Sequence, residues 1–209
     1  MRTIVPLRPH NADELLEMVE QIGNRASWIE VWLDQFEGDI PRIESHKFIG
    51  CCKTPAERGN FLGSSEEKIE ILQKFLKSGG DLVDLDVERV KENLIHQIPS
   101  NKLILSYHDF VGDADLRPLL DDILIKMYFL SPAICKFSVA VNDPVSLELF
   151  LDFVQKFPSN QPALFTTMGT LGREGRDRIE ALKKSWGRFI ALDKDSKTDA
   201  SQKILDEIN

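Results

Sequence analysis

The sequence predicts a single (β/α)8 barrel spanning residues 1–209. Three observations predict it. Short, apolar, β-branched runs alternate roughly eight times with amphipathic stretches of helical period. The runs are apolar on both faces, as in parallel strands covered on both sides. No linker or low-complexity segment divides the chain, and 209 residues suffice for one sizeable core but leave room for few insertions. The runner-up is an open doubly wound sheet. The absence of a G-x-G-x-x-G after the first strand counts against a dinucleotide-binding version of it.

The elements follow in order. Thr3–Leu7 is the first strand. Asn11 and Glu14 form a capping box for a helix with an apolar stripe at Leu15, Leu16, Val19 and Ile22, and Gly23-Asn24 ends it. Trp28–Asp34 is the second strand, a short helical piece lies near Ile40–Ser45, and Lys47–Lys53 is the third strand. The polar loop Thr54–Gly63 precedes a second capping box, Ser64 with Glu67, and a stripe at Ile69, Leu72, Phe75 and Leu76. Gly79-Gly80 stops that helix. Strand four is Asp81–Glu88, followed by a helix through Val90, Leu94 and Ile95. Strand five is Lys102–His108, followed by a helix with Leu119, Leu120, Ile123 and Met127 on one side. Ala133–Ala140 is strand six. Asp143-Pro144 then supplies an N-cap and an N1 proline to a helix with Leu147, Phe150 and Val154 on its core face. Pro162–Met168 is strand seven, before a helix through Ile179 and Leu182. Phe189–Leu192 is strand eight, and Ala200–Ile208 the last helix.

Composition narrows the function. The chain is 42% hydrophobic and 29% charged, with a formal net charge of −8. That charge argues against nucleic acid or an anionic membrane as the main partner. No apolar run approaches the roughly 20 residues of a membrane span. The N-terminus lacks the apolar core of a signal peptide. Cys51, Cys52 and Cys135 sit in strand-like runs, which suits buried thiols in a reducing cytoplasm. No His/Cys spacing resembles a metal site.

Strand six contains a lysine, Lys136, in Ala133-Ile134-Cys135-Lys136-Phe137-Ser138-Val139-Ala140. It reads either as a solvent-side lysine of an edge strand or as a desolvated amine with a depressed pKa, poised for Schiff-base chemistry. In a barrel the chemistry sits at the C-terminal strand ends. Those ends carry Glu30, Asp34, Lys53, Glu57, Asp86, Glu88, His108, Lys136 and Arg176. A lysine, a histidine one strand away, an acid to orient it and extra cations suit imine-based proton chemistry. Neighbouring cations would lower the lysine pKa, and histidine has a pKa suited to taking a carbon-bound proton.

At these residues the chain resembles the type I 3-dehydroquinate dehydratases, Schiff-base (β/α)8 enzymes of the shikimate pathway. The matching pieces are Ile29-Glu30-Val31-Trp32-Leu33-Asp34, Lys53 with Glu57-Arg58-Gly59, and Asp84-Leu85-Asp86-Val87-Glu88. Further on come Ser106-Tyr107-His108-Asp109-Phe110, Cys135-Lys136-Phe137, Met168-Gly169-Thr170-Leu171-Gly172 with Arg176, and Gln202. The resemblance implies a hydro-lyase that converts 3-dehydroquinate to 3-dehydroshikimate and water without metal or organic cofactor. It implies that Lys136 forms the imine at C3, that His108 removes the C2 proton and assists loss of the C1 hydroxyl, and that Glu57 orients His108. It implies that Arg176 and Gln202 hold the substrate carboxylate, that Glu30 and Lys53 bind ring hydroxyls, and that a hydroxyl, here Thr198, comes from the closing loop.

Departures from the family pattern accompany the match. Trp32 stands in a substrate-binding position that usually holds arginine, and an indole cannot replace a guanidinium on a diol. Lys53 replaces another arginine, which keeps charge but loses the fork. Glu57-Arg58-Gly59 replaces Glu-Gly-Gly, and Arg58 is the candidate to restore the missing charge. Gly175 replaces the small serine before Arg176. The plug hairpin that often closes the barrel bottom in this family is not seen ahead of strand one, so another group or a fused partner is expected to cover it. The family occurs alone or fused ahead of shikimate dehydrogenase, and a homodimer is a further arrangement. Two rival readings stay open: a catalytically impaired barrel serving as an interaction domain of a shikimate-pathway enzyme, supported by Trp32, and a Schiff-base aldolase.

Overall fold

In the computed structural model, residues 2–41, 43–112 and 116–190 are described. Thr198, Gln202, the expected last helix and the end of the expected eighth strand lie outside them. The strands are β1 (Arg2–Leu7), β2 (Trp28–Trp32), β3 (Lys47–Cys51), β4 (Leu82–Asp86), β5 (Leu103–Asp109), β6 (Ile134–Ala140), β7 (Ala163–Met168) and β8 (Gly187–Phe189). The helices are α1 (Ala12–Ile22), α2 (Ser65–Lys77), α3 (Glu92–Ile95), α4 (Leu116–Leu130), α5 (Pro144–Lys156) and α6 (Gly172–Leu182).

The sheet order is β7-β6-β5-β4-β3-β2-β1-β8, and every pairing is parallel. The ends approach one another: the Trp186 N–H donates to the Ala163 carbonyl at 2.6 Å, and the Phe165 N–H donates to Ser185 Oγ at 3.2 Å. The eight strands therefore form the nearly closed (β/α)8 barrel that the alternating pattern requires.

Local chemistry sets three of the six helix starts among the described residues. Asn11 accepts from the Glu14 N–H, Ser64 and Glu67 cap each other, and Asp143 accepts from the N–H groups of Val145 and Ser146 ahead of α5. The buried stripe of α1 is Leu15, Met18, Val19 and Ile22; Leu16, expected on it, points outward. Among the described residues no helix forms between β2 and β3. Gly38 at φ 90° and Pro41 interrupt that stretch, and the segment before a proline disfavours helix. The crossover after β4 keeps only the single turn α3.

Strand alternation divides the side chains into two cores. Outside the barrel, Phe137 of β6 and Phe165 of β7 pack against Phe150 and Phe153 of α5, with Phe137 and Phe153 ring centroids 5.0 Å apart. Each fully buried ring of this kind is worth roughly 1.5–3 kcal/mol of hydrophobic stabilisation. Inside, Ile4, Ile49, Leu82, Ile104, Ile134 and Leu164 form one apolar layer. Packed against this layer, Trp28 and Trp186 meet edge to face at 5.0 Å, and the Arg2 guanidinium lies 4.4 Å over the Trp186 ring.

Candidate active site

The interior face changes character two residues above the apolar layer. Glu30, Asp84, Ser106 and Lys136 follow Trp28, Leu82, Ile104 and Ile134 by the period of two. Trp32, Asp86, His108 and Ser138 follow them in turn. Polar groups on an otherwise apolar strand thus converge at the C-terminal mouth. The resulting cleft holds about 600 Å³, its solvent-open mouth included, and Glu30, Trp32, Lys53, Glu57, His108 and Lys136 all line it.

Lys136 is 4% exposed. Its Nζ donates to Asp84 Oδ2 at 2.6 Å and to Glu30 Oε2 at 3.1 Å. Burial alone would lower its pKa, but Asp84 and Glu30 outweigh burial, and the pKa lies above the ordinary 10.5. The depressed pKa that was expected is therefore not found: the nearest charges are two carboxylates, and they stabilise the ammonium. Asp84 opposes burial in the same way, with Lys136 and Lys53 holding it far below the ordinary carboxylate range. Ser106 Oγ donates to its other oxygen.

Lys53 Nζ stands 3.5 Å from Asp84 Oδ1 and 3.8 Å from Glu57 Oε1, and among the described residues neither Lys53 Nζ nor Glu57 Oε1 has a hydrogen-bond partner although both are buried. Glu57 sits in a short 3-10 turn, Pro55–Glu57. Its Oε2 accepts from Thr54 N at 3.1 Å, from Thr54 Oγ1 at 2.9 Å and from Lys68 Nζ at 2.6 Å. Burial raises the Glu57 pKa, but Lys53 and Lys68 more than offset it, so Glu57 is held below its usual value.

The carboxylate on His108 is Asp86. His108 Nδ1 lies 3.0 Å from Asp86 Oδ2, and Arg89 Nη1 donates to the same oxygen at 2.8 Å. This corrects the expectation that Glu57 orients His108: Glu57 is bound to Lys68 and Thr54, and the orienting acid comes from the neighbouring strand. With Nδ1–H donated to Asp86, Nε2 is the basic nitrogen. Burial first, then Lys53 and Lys136, bring the His108 pKa below 6.5 against the opposing pull of Asp86. Asp84 and Asp86 had a legible signal, two acids spaced i, i+2 on one face of the apolar run Leu82–Asp86.

Trp32 Nε1–H donates to Glu30 Oε1 at 3.2 Å. Arg58, the candidate to replace a lost cation, has a left-handed backbone (φ 64°), and its guanidinium lies 4.8 Å over the Phe110 ring. Phe110 in turn stacks on His108 with centroids 5.8 Å apart. Arg176 lies beside the cleft rather than in its wall: Nη1 donates to the Thr167 carbonyl at 2.7 Å, and the residue lines an adjoining cavity that shares Thr166 and Phe189 with the cleft.

Comparison with known proteins places this chain in a family. The chain is 27% identical over 168 residues to a 3-dehydroquinate dehydratase of Coxiella burnetii, covering 77% of this chain and 71% of that protein. The solved 3-dehydroquinate dehydratase of Enterococcus faecalis superposes with a TM-score of 0.77 at 20% identity, covering 100% of this chain and 94% of that one. A structure of dehydroquinate dehydratase and shikimate dehydrogenase from S. pombe AroM superposes with a TM-score of 0.70 at 18% identity, covering 94% of this chain and 41% of that one. The model of the type I 3-dehydroquinase family matches residues 3–176. With the barrel and the lysine–carboxylate mouth both in place, the chain belongs to the type I 3-dehydroquinase family.

Proposed function

We propose that this protein is a 3-dehydroquinate dehydratase that works through an imine on Lys136. The observation that carries the reading is the environment of Lys136: a buried amine between two carboxylates, one strand from a histidine whose Nδ1 is fixed by Asp86.

The residues divide the work as follows. Lys136 needs a neutral amine, and Asp84 or Glu30, at 2.6 and 3.1 Å, takes its proton as the substrate arrives. The amine adds to the C3 ketone, the carbonyl oxygen leaves as water, and the protonated imine draws electrons from the C2–H bond. His108 Nε2 accepts that proton and leaves an enamine. The enamine expels the C1 hydroxyl, which departs as water with the proton from His108. Water then hydrolyses the imine, releases 3-dehydroshikimate and restores the amine. The net change is loss of one water. Lys53 Nζ and Glu57 Oε1 face each other at 3.8 Å, each without a hydrogen bond among the described residues, a setting that a substrate hydroxyl completes by accepting from Lys53 and donating to Glu57. Arg176, Thr198 and Gln202 remain the candidates for the carboxylate side.

The test is borohydride trapping with 3-dehydroquinate, read by intact mass and peptide mapping. The expected result is a reduced adduct on Lys136 that is absent in Lys136→Ala. A folded protein with no adduct and no rise in enone absorbance would overturn the reading in favour of the catalytically impaired barrel.

A further inference from the structure

The register that builds the cleft also positions Arg8. On β1, Ile4 belongs to the interior apolar layer and Pro6, paired with Glu30, lines the cleft. Arg8 continues that face two residues on, at the mouth, just past the last paired residue Leu7. Its guanidinium lies over the Trp32 ring, 3.6 Å from the centroid. Its hydrogen bonding is thin: Nη2 reaches the Arg58 carbonyl at 3.4 Å, and Nε is buried with no partner among the described residues. Among the described residues no carboxylate lies within ion-pair distance of it, although Glu30 and Asp34 are close enough to attract it. Buried guanidinium donors in a purely structural role are normally filled, often by bidentate carboxylates. Arg8 is half-buried, is held by stacking, and keeps its buried Nε unused among the described residues.

We propose that Arg8 is a substrate-binding residue that donates to the hydroxyl on the carbon next to the attacked ketone, the C4 hydroxyl of 3-dehydroquinate. The proposal rests on the dehydratase reading. Glu30 Oε2 is 3.1 Å from Lys136 Nζ, so substituents beside the carbon that bonds to Nζ come up against Glu30. His108, on the strand adjoining β6, takes the C2 side, which turns C4 toward β2. A hydroxyl there donates to Glu30 and its oxygen needs a donor. The one indole N–H of Trp32 is already given to Glu30 Oε1. Arg58 stacks on Phe110 and Arg176 is bonded to the Thr167 carbonyl. Arg8 does not itself line the cleft, but it is stacked on the Trp32 ring that does, and so brings a guanidinium next to the wall that holds Glu30.

Steady-state kinetics with 3-dehydroquinate and its 4-deoxy analogue test this in the wild type, Arg8→Ala and Arg8→Gln. The Gln variant keeps a planar group on the indole, so the test survives if the Ala variant folds poorly. With 3-dehydroquinate, kcat/KM is expected to fall about tenfold to hundredfold in both variants, mainly through KM, the loss of one charge-assisted hydrogen bond. With the 4-deoxy analogue, wild type and variants are expected to agree within about twofold, because the bond is already absent. Equal losses on both substrates would overturn the proposal and make Arg8 a prop for Trp32. A wild type that neither turns over nor traps 3-dehydroquinate would instead overturn the dehydratase reading, and this proposal with it.

Discussion

Asp86 receives His108 Nδ1 at 3.0 Å and Arg89 at 2.8 Å, so it fixes both the ring and the tautomer that leaves Nε2 basic. Replacing it with asparagine keeps the shape and removes the charge that supports an imidazolium. Asp86→Asn is expected to lower kcat by about a hundredfold, within the range that a positioned proton-transfer group supplies. The direction of the pH effect follows from the opposing influences on His108. Burial, Lys53 and Lys136 lower its pKa and Asp86 raises it, so loss of the Asp86 charge lowers it further. The acid limb of the kcat/KM profile should move to lower pH while the maximum falls; a limb moving to higher pH would contradict the assignment. Lys136 shows the limit of residue-scale reading. Its position was legible, because one lysine in an apolar strand is conspicuous. Its ionisation was not, because Asp84 and Glu30 lie 52 and 106 residues away along the chain.

At the scale of elements, the loop after β3 is built to deliver Lys53 and Glu57 together. Thr54 and Glu57 cap the turn reciprocally, and the chain then crosses back over Lys53 at Gly59. A Cβ on Gly59 would lie 2.1 Å from the Lys53 carbonyl oxygen, a backbone atom that cannot swing aside. Gly59→Ala is therefore expected to displace Lys53 and Glu57. It should lower kcat/KM at least tenfold and destabilise the fold by about 1–3 kcal/mol, the usual cost of overpacking. Denaturant unfolding and kinetics on one preparation check both, and full activity in the variant would show that the loop can shift without cost. The caps of α1, α2 and α5 were legible because an N-cap bonds within three residues of itself. The expected helical piece between β2 and β3 failed because Gly38 and Pro41 outweigh a weak apolar pattern.

For the whole molecule, the buried charges at the mouth couple stability to pH. Glu57, Asp84 and Asp86 are held below their ordinary values of 4.5, 3.8 and 3.8, so their contribution is present above those values and is lost as pH falls. His108 is held below 6.5, so the unfolded chain takes up a proton first and stability begins to fall as pH drops through 6.5. Lys53 and Lys136 are held above 10.5, so their contribution is complete below that value and is lost as pH rises through their folded values. Burial also pushes the Cys51, Cys52 and Cys135 thiols up from 9.0, so the unfolded chain loses those protons first, and urea unfolding across pH should show a plateau from about pH 7 to 9 with losses on both sides. Stability at pH 5 equal to that at pH 8 would exclude this network as the cause.

The alternation of strands and helices, the helix caps and the presence of Glu30, His108 and Lys136 at strand ends were legible in the sequence alone. Period-two alternation and capping are local, and every residue needed for them lies within a few positions. The partners across the mouth were decided only by tertiary structure: Asp86 with His108, Asp84 between two lysines, Trp186 against Trp28, and Arg8 over Trp32. Those pairings depend on how eight parallel strands are staggered around a closing sheet. That stagger is a property of the assembled barrel, and no single strand encodes it.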